Sequence, residues 1–154
     1  MNLLGLHHAG ILVADPDGID RALVEVLGLR RDHLERYGDE LENAFYPCGD
    51  TLVEVITPTR EGWNTEWLER SGPTIQHLAF EVADIAGAVT ELRERGVPLL
   101  EPSPRPGAGG TTIAFLNPVS CGGILLELVE DPASCRKRVA SANRPAEVAE
   151  QRAP

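Results

Sequence analysis

The sequence predicts an α+β fold made of two copies of one β-α-β-β-β module, and three observations predict it. Each half opens with an apolar strand signal that runs into a capped amphipathic helix. Like residues then recur at one spacing: His8 and His77, Val13 and Val82, Asp15 and Asp84 all stand 69 positions apart. Near the end of each half a glutamate sits inside an apolar strand signal, Glu54 in LVEVI and Glu127 in LLELV, 73 apart, the four extra residues falling in loops. A repeat of about 70 residues that occurs twice is a duplicated module, since solenoids use shorter periods and at least three copies.

The elements follow in chain order. Residues 6–13, LHHAGILV, read as a strand that Asp15-Pro16-Asp17-Gly18 breaks. Ile19, Ala22, Leu23, Val26 and Leu27 have helical spacing, and Gly28 stands where a C-terminal cap belongs. Residues 43–46 and 51–57 form a hairpin about Pro47-Cys48-Gly49-Asp50. Residues 59–73 link the modules, with a short helix predicted over 65–70 that lets Trp63 and Trp67 share a face as packing or as a pocket lid. In the second copy, residues 75–82 are a strand, Asp84 caps a helix with an Ile85, Ala88, Val89, Leu92 stripe, and Gly96 closes it. Strands are expected over 98–101, 111–116 and 123–130, and PSPRPGAGG (102–110) as an irregular loop. The predicted organisation is one domain over 1–130, with modules at 4–58 and 74–130. Residues 131–154 match neither copy, carry five basic and three acidic residues, and are expected to form a flexible polar tail.

Composition narrows the function. The chain of 154 residues has 14 basic and 24 acidic side chains and a net charge of −10, the wrong sign for a nucleic-acid partner. No apolar run approaches a membrane span and MNLLGLHHAG lacks a basic signal region, so a cytoplasmic protein is expected. Cys48, Cys121 and Cys135 form no C-x-x-C pair and are read as structural or incidental. Lys137 is the one lysine and lies in the tail, which leaves Schiff-base chemistry no carrier in the core. Nucleophile-elbow, zincin and phosphate-loop strings are absent.

Strand alternation picks out a constellation. Ala9, Ile11 and Val13 share one face, fit to pack under the helix, and His8, Gly10 and Leu12 share the other; Leu78, Phe80 and Val82 likewise oppose His77, Ala79 and Glu81. Glu54 and Glu127, flanked by apolar neighbours, are costly to bury without a partner. Two imidazoles and two carboxylates on the uncovered faces make a mixed N/O site for one divalent metal, Co2+, Mn2+, Ni2+ or Zn2+. A lone strand histidine is usually no ligand, and it is the recurrence in both halves that selects His8, Glu54, His77 and Glu127. His7 takes the parity of the core face or its edge, His33 follows a solvated RRD run, Glu25, Glu91 and Glu94 lie on wet helix faces, and Glu130 is a strand-end charge.

At HHAGILV, VEVITP, IQHLAFEVADI, PRPGAGG, AFLNP and CGGILLELVE the chain resembles the vicinal oxygen chelate superfamily, most closely its methylmalonyl-CoA epimerases, over about residues 4–130. The resemblance implies a cupped, barrel-like mixed sheet around a metal, a homodimer, and proton exchange alpha to a thioester or other dicarbonyl substrate. It assigns metal ligation to His8, Glu54, His77 and Glu127, and proton transfer to Glu127 as the catalytic residue. The same superfamily holds glyoxalase-like isomerases, ring-cleaving dioxygenases, tailoring enzymes and metal-free drug-binding resistance proteins, which are the alternative readings. The chain departs from the epimerase pattern at Thr111-Thr112 and Asn117-Pro118-Val119, where the family carries basic side chains. A second proton-transfer carboxylate, where the family has one, would fall near residues 42–46; strand parity favours Asn43, and Glu42 would need another turn length.

Overall fold

The computed structural model describes residues 1–133, so the predicted tail, with Cys135 and Lys137, lies from residue 134 onward outside the described residues. The first half runs β1 (Leu3–Leu12), α1 (Asp17–Arg21), β2 (His33–Tyr37), β3 (Leu41–Cys48) and β4 (Thr51–Pro58). A linking helix, α2 (Trp63–Ser71), leads to β5 (Thr74–Val82), α3 (Ile85–Glu94), β6 (Arg105–Pro106), β7 (Thr112–Leu116) and β8 (Leu125–Glu130). Each half is thus β-α-β-β-β. All eight strands join one curled sheet in the order β2-β3-β4-β1-β5-β8-β7-β6. The two first strands, β1 and β5, pair antiparallel at the centre, and each pairs parallel with the last strand of its own module, β4 and β8.

Alternation sorts the side chains between two faces of this sheet. On the convex face Val13, Tyr46 and Val55 pack with Leu23 from the first helical segment, and Val82, Ala114, Leu116 and Leu128 pack with Ile85, Ala88, Val89 and Leu92 of α3. Burying a side chain of this size contributes about 1.5–3 kcal/mol, which ties each helix to its module. The concave face carries Ala79, Ile113 and Val129 and the polar groups described below. Glu35 on β2 accepts a hydrogen bond from the Gly109 amide at 2.9 Å, so the two ends of the sheet are tied across the cup.

Local detail departs from expectation in three places. The helix of residues 19–27 is split: α1 passes into a wider π-type segment, Ala22–Val26, in which the Leu27 amide reaches back five residues to the Ala22 carbonyl. Residues 98–101 form no strand beyond a single bridge from Leu99 to Leu116; Pro98 and Pro102 lack the amide a ladder needs. The short strand falls instead at Arg105–Pro106, inside the stretch expected to be loop, and it is the sheet's edge, where a proline is tolerated. Polar β2, which gives no alternation signal, is the other edge.

Asp84 caps α3 by accepting from the Gly87 amide at 2.9 Å, and Glu130 Oε2 accepts from the Ile85 amide at 2.8 Å, so that carboxylate is a helix partner and not merely a strand-end charge. Asp84→Ala is expected to lower the unfolding free energy by about 1 kcal/mol in a urea titration. An unchanged midpoint would show that Glu130 alone holds the helix start.

Candidate metal centre

The register of the four central strands brings the predicted residues together. Gly10 on β1 lies opposite both Glu54 on β4 and His77 on β5, and Ala79 on β5 lies opposite both His8 on β1 and Glu127 on β8. Two strand pairs related by the duplication therefore aim two imidazoles and two carboxylates at one point. His8 Nε2 stands 2.9 Å from His77 Nε2, 3.1 Å from Glu54 Oε2 and 3.0 Å from Glu127 Oε2. His77 Nε2 is 3.5 Å and 3.3 Å from the same two oxygens. All four residues are buried, between 3% and 7% exposed.

Small residues make the convergence possible. A Cβ on Gly10 would stand 2.2 Å from His77 Cε1, so the imidazole lies directly over the glycine backbone. Ala79, fully buried, occupies the corresponding place in the other half. Both follow their histidine by two residues and share its face.

The electrostatics of the group favour added positive charge. Two ionised carboxylates buried beside two neutral imidazoles leave four lone-pair donors facing one another with a net charge of −2, an arrangement costing several kcal/mol per uncompensated ion. Glu127 Oε2 is buried, with the two imidazole nitrogens as its polar neighbours. Without a metal, protons must serve. Burial pulls the His8 pKa down, but the carboxylates of Glu127 and Glu54 outweigh it and push it up to about 10. His77 is raised by the same balance. Burial raises Glu54 and Glu127 in turn, and the imidazoles more than reverse this, holding both below the usual carboxylate range. A divalent ion supplies the missing charge from one point, and an N2O2 donor set suits a borderline cation such as Co2+, Mn2+, Ni2+ or Zn2+. His8, His77 and Glu127 alone form a three-donor group that could hold one, and Glu54 Oε2 adjoins it.

Other residues approach this group. Asn43, buried on β3, donates from Nδ2 to Glu54 Oε1 at 2.8 Å, and its Oδ1 has no hydrogen-bond partner. Asn43 thus stands on the face that parity favours, and Glu42 pairs with Arg36 at 2.9 Å. His7, read as lying on the core face or its edge, instead lines the cavity and sits 2.8 Å from His8, Nδ1 to Nδ1. Gln76, which nothing in the sequence singles out, is buried beside His77. His33 keeps its exposed place near Asp32 and stacks on Phe45 with ring centres 4.6 Å apart. Glu25 and Glu94 are exposed, and Glu91 pairs with Arg95 on the surface.

The centre forms the floor of a cavity of about 1360 Å³. Phe115 stands edge-on to His77, and Leu125, Ile113 and Phe45 add apolar wall. Trp63, half exposed and edge-on to Trp67, lines the mouth, as does Thr111.

Residues 7–115 match the model of the glyoxalase/bleomycin resistance protein/dioxygenase superfamily. The chain belongs to this superfamily. The uncharacterized protein YqjC of Bacillus subtilis is 33% identical over 81% of this chain and 91% of its own length. The human mitochondrial methylmalonyl-CoA epimerase is 29% identical over 82% of this chain and 74% of its own length. The crystal structure of methylmalonyl-CoA epimerase from Mycobacterium tuberculosis superposes with a TM-score of 0.79 at 32% identity, over 87% of this chain and 93% of that one. This superfamily member therefore shares its fold and its relatives with acyl-CoA epimerases.

Two outcomes follow for this superfamily site. The stabilisation from raised His8 is complete below its ordinary value of 6.5 and is lost as pH rises toward about 10, while that from the lowered carboxylates is present above about 4.5 and is lost below it. The Tm of metal-free protein is expected to fall between pH 6.5 and 10 and to fall less with Co2+ bound; a flat profile in metal-free protein contradicts this. Gly10→Ala, by displacing His77, is expected to weaken Co2+ binding about tenfold or more in calorimetric titration. Unchanged affinity would show that His77 is not required where it lies.

Proposed function

We propose that the protein is a metal-dependent epimerase or isomerase that exchanges a proton at the carbon alpha to a thioester or similar carbonyl, with methylmalonyl-CoA the first substrate to test. The observation that carries this reading is the convergence of His8, His77, Glu54 and Glu127 on one point at the floor of the cavity, and membership of a superfamily that includes such epimerases supports it. His8, His77, Glu54 and Glu127 would hold the ion, which when bound supplies Lewis acidity toward the two oxygens of a 1,3-dicarbonyl.

The chain's own groups divide the remaining work. Asn43 fixes Glu54 through Oε1, which suits Glu54 to a holding role. Glu127 takes no amide hydrogen bond of the kind Asn43 gives Glu54, so it is the carboxylate freer to accept and return the alpha proton. Its lowered pKa keeps it ionised at neutral pH. Phe115, Ile113 and Leu125 line the cavity beside it as apolar wall. At the mouth, Arg105 pairs with Glu101 at 3.3 Å and lies over Phe115, and Arg60 pairs with Glu40 and Asp39. An anionic carrier such as coenzyme A would have to exchange these carboxylates for its own phosphates.

Metal-loaded protein is expected to wash deuterium from D2O into the alpha position of methylmalonyl-CoA and to interconvert its epimers. Absence of both overturns the specific substrate. Glu127→Gln should lower turnover by about 10² or more, the scale of a lost general base, whereas Glu54→Gln can turn its amide oxygen to the centre and its NH2 to Asn43 Oδ1 and should retain much of the activity. Equal, modest losses in both would mean that Glu127 is one ligand among four.

A further inference from the structure

The central strand pair carries three register shifts, at Leu3/Gly5, Leu6/His8 and Gly10/Ile11, and the last two fall at related places. Along β1 and β5, Leu6 pairs with Phe80 but His8 with Ala79, so His7 is an extra residue in β1. Further along, Gly10 pairs with His77 but Ile11 with Ile75, so Gln76 is an extra residue in β5. A bulged residue has no partner across the ladder, and its side chain is re-aimed. Here both are re-aimed the same way: strict alternation would place His7 and Gln76 opposite their neighbours His8 and His77, yet both line the cavity with them. The bulges stand 69 residues apart, the spacing of the duplication itself.

Each bulged side chain meets the inner nitrogen of the histidine that follows it. His7 Nδ1 is 2.8 Å from His8 Nδ1, and Gln76 Oε1 is 3.2 Å from His77 Nδ1. Both are themselves held from behind. His7 Nε2 faces Asp131 Oδ2 at 3.6 Å, and Gln76 Nε2 donates to Asn64 Oδ1 on α2 at 2.6 Å. With its amide nitrogen given to Asn64, Gln76 presents its oxygen to His77, an oxygen can only accept, and a metal on Nε2 demands the same tautomer. His77 Nδ1 therefore carries the hydrogen and Nε2 keeps its lone pair for the centre. At His8 a metal on Nε2 likewise makes Nδ1 the donor to His7 Nδ1, leaving the hydrogen of His7 on Nε2, 3.6 Å from Asp131.

We infer that His7 and Gln76 are positioning residues, placed by paired bulges to fix the Nδ1–H tautomer and the ring orientation of His8 and His77. The inference rests on the metal reading above. The two halves use different chemistry for one task, an imidazole backed by a carboxylate in the first and an amide backed by an amide in the second. Groups that orient ligand imidazoles in this way typically carry roughly 10- to 100-fold in metal affinity.

Two measurements test it. In Zn2+-loaded wild-type protein, 15N-correlated spectra of the histidine rings should show the hydrogen on Nδ1 of both His8 and His77; a hydrogen on Nε2 of either ring overturns the inference, and no variant needs to fold for this result. In Co2+ titrations, His7→Leu and Gln76→Leu should each weaken binding roughly 10- to 100-fold and shift the visible Co2+ bands, whereas His7→Asn and Gln76→Glu, which keep an acceptor in place, should stay within about threefold. Leucine variants that bind as wild type overturn it, as do leucine and conservative variants that fall alike, which would mark a general packing effect. Wild-type protein that binds neither ion overturns the metal reading itself, a result distinguishable from intact binding with the wrong tautomer.

Discussion

Two carboxylates buried against two imidazoles at the centre of one sheet are the constraint from which the rest of the structure follows. Distances of 2.9 to 3.5 Å between the imidazole nitrogens, and from them to the carboxylate oxygens, gather two buried negative charges that a bound ion or added protons must offset. Gly10 is a glycine because His77 lies on it, and Ala79 is small at the matching place. Asn43 occupies Oε1 of Glu54, and Ala79, Ile113 and Val129 give the concave face its apolar part. Protonation can neutralise the cluster in place of an ion, which is why the imidazole and carboxylate pKa values move in opposite directions. The convex face bears none of this burden. It is an ordinary core of aliphatic residues under two helices, and it supplies the stability that lets the concave face stay polar.

The duplication is what made this centre readable in the sequence. One histidine in a strand means little, but His8 and His77 fall on the same face of equivalent strands, and Glu54 and Glu127 stand on equivalent last strands. Period-two alternation then places all four on the side the helices do not cover. The same rule favours Asn43 over Glu42, since β3 continues to Cys48 and its tight turn holds the register with β4.

What alternation cannot express is a bulge. Parity sends His7 to the opposite face and gives no signal at Gln76, because an inserted residue resets the face of a side chain without changing the local composition. The short edge strand at Arg105–Pro106 escaped for a related reason: a two-residue strand held by its neighbour β7 leaves no periodic trace, and proline argues against it. Polar β2 likewise forms because β3 offers it a ladder, with His33 stacked on Phe45 across the pair. In each case tertiary pairing, not local preference, decides the element.

The most direct test of this account is anomalous diffraction at the cobalt edge from crystals of the full chain grown with Co2+. One strong peak per chain is predicted, about 2.0–2.2 Å from Nε2 of His8, Nε2 of His77 and a carboxylate oxygen each of Glu54 and Glu127. A map with no peak among these four residues, or with cobalt only on surface carboxylates, would contradict it.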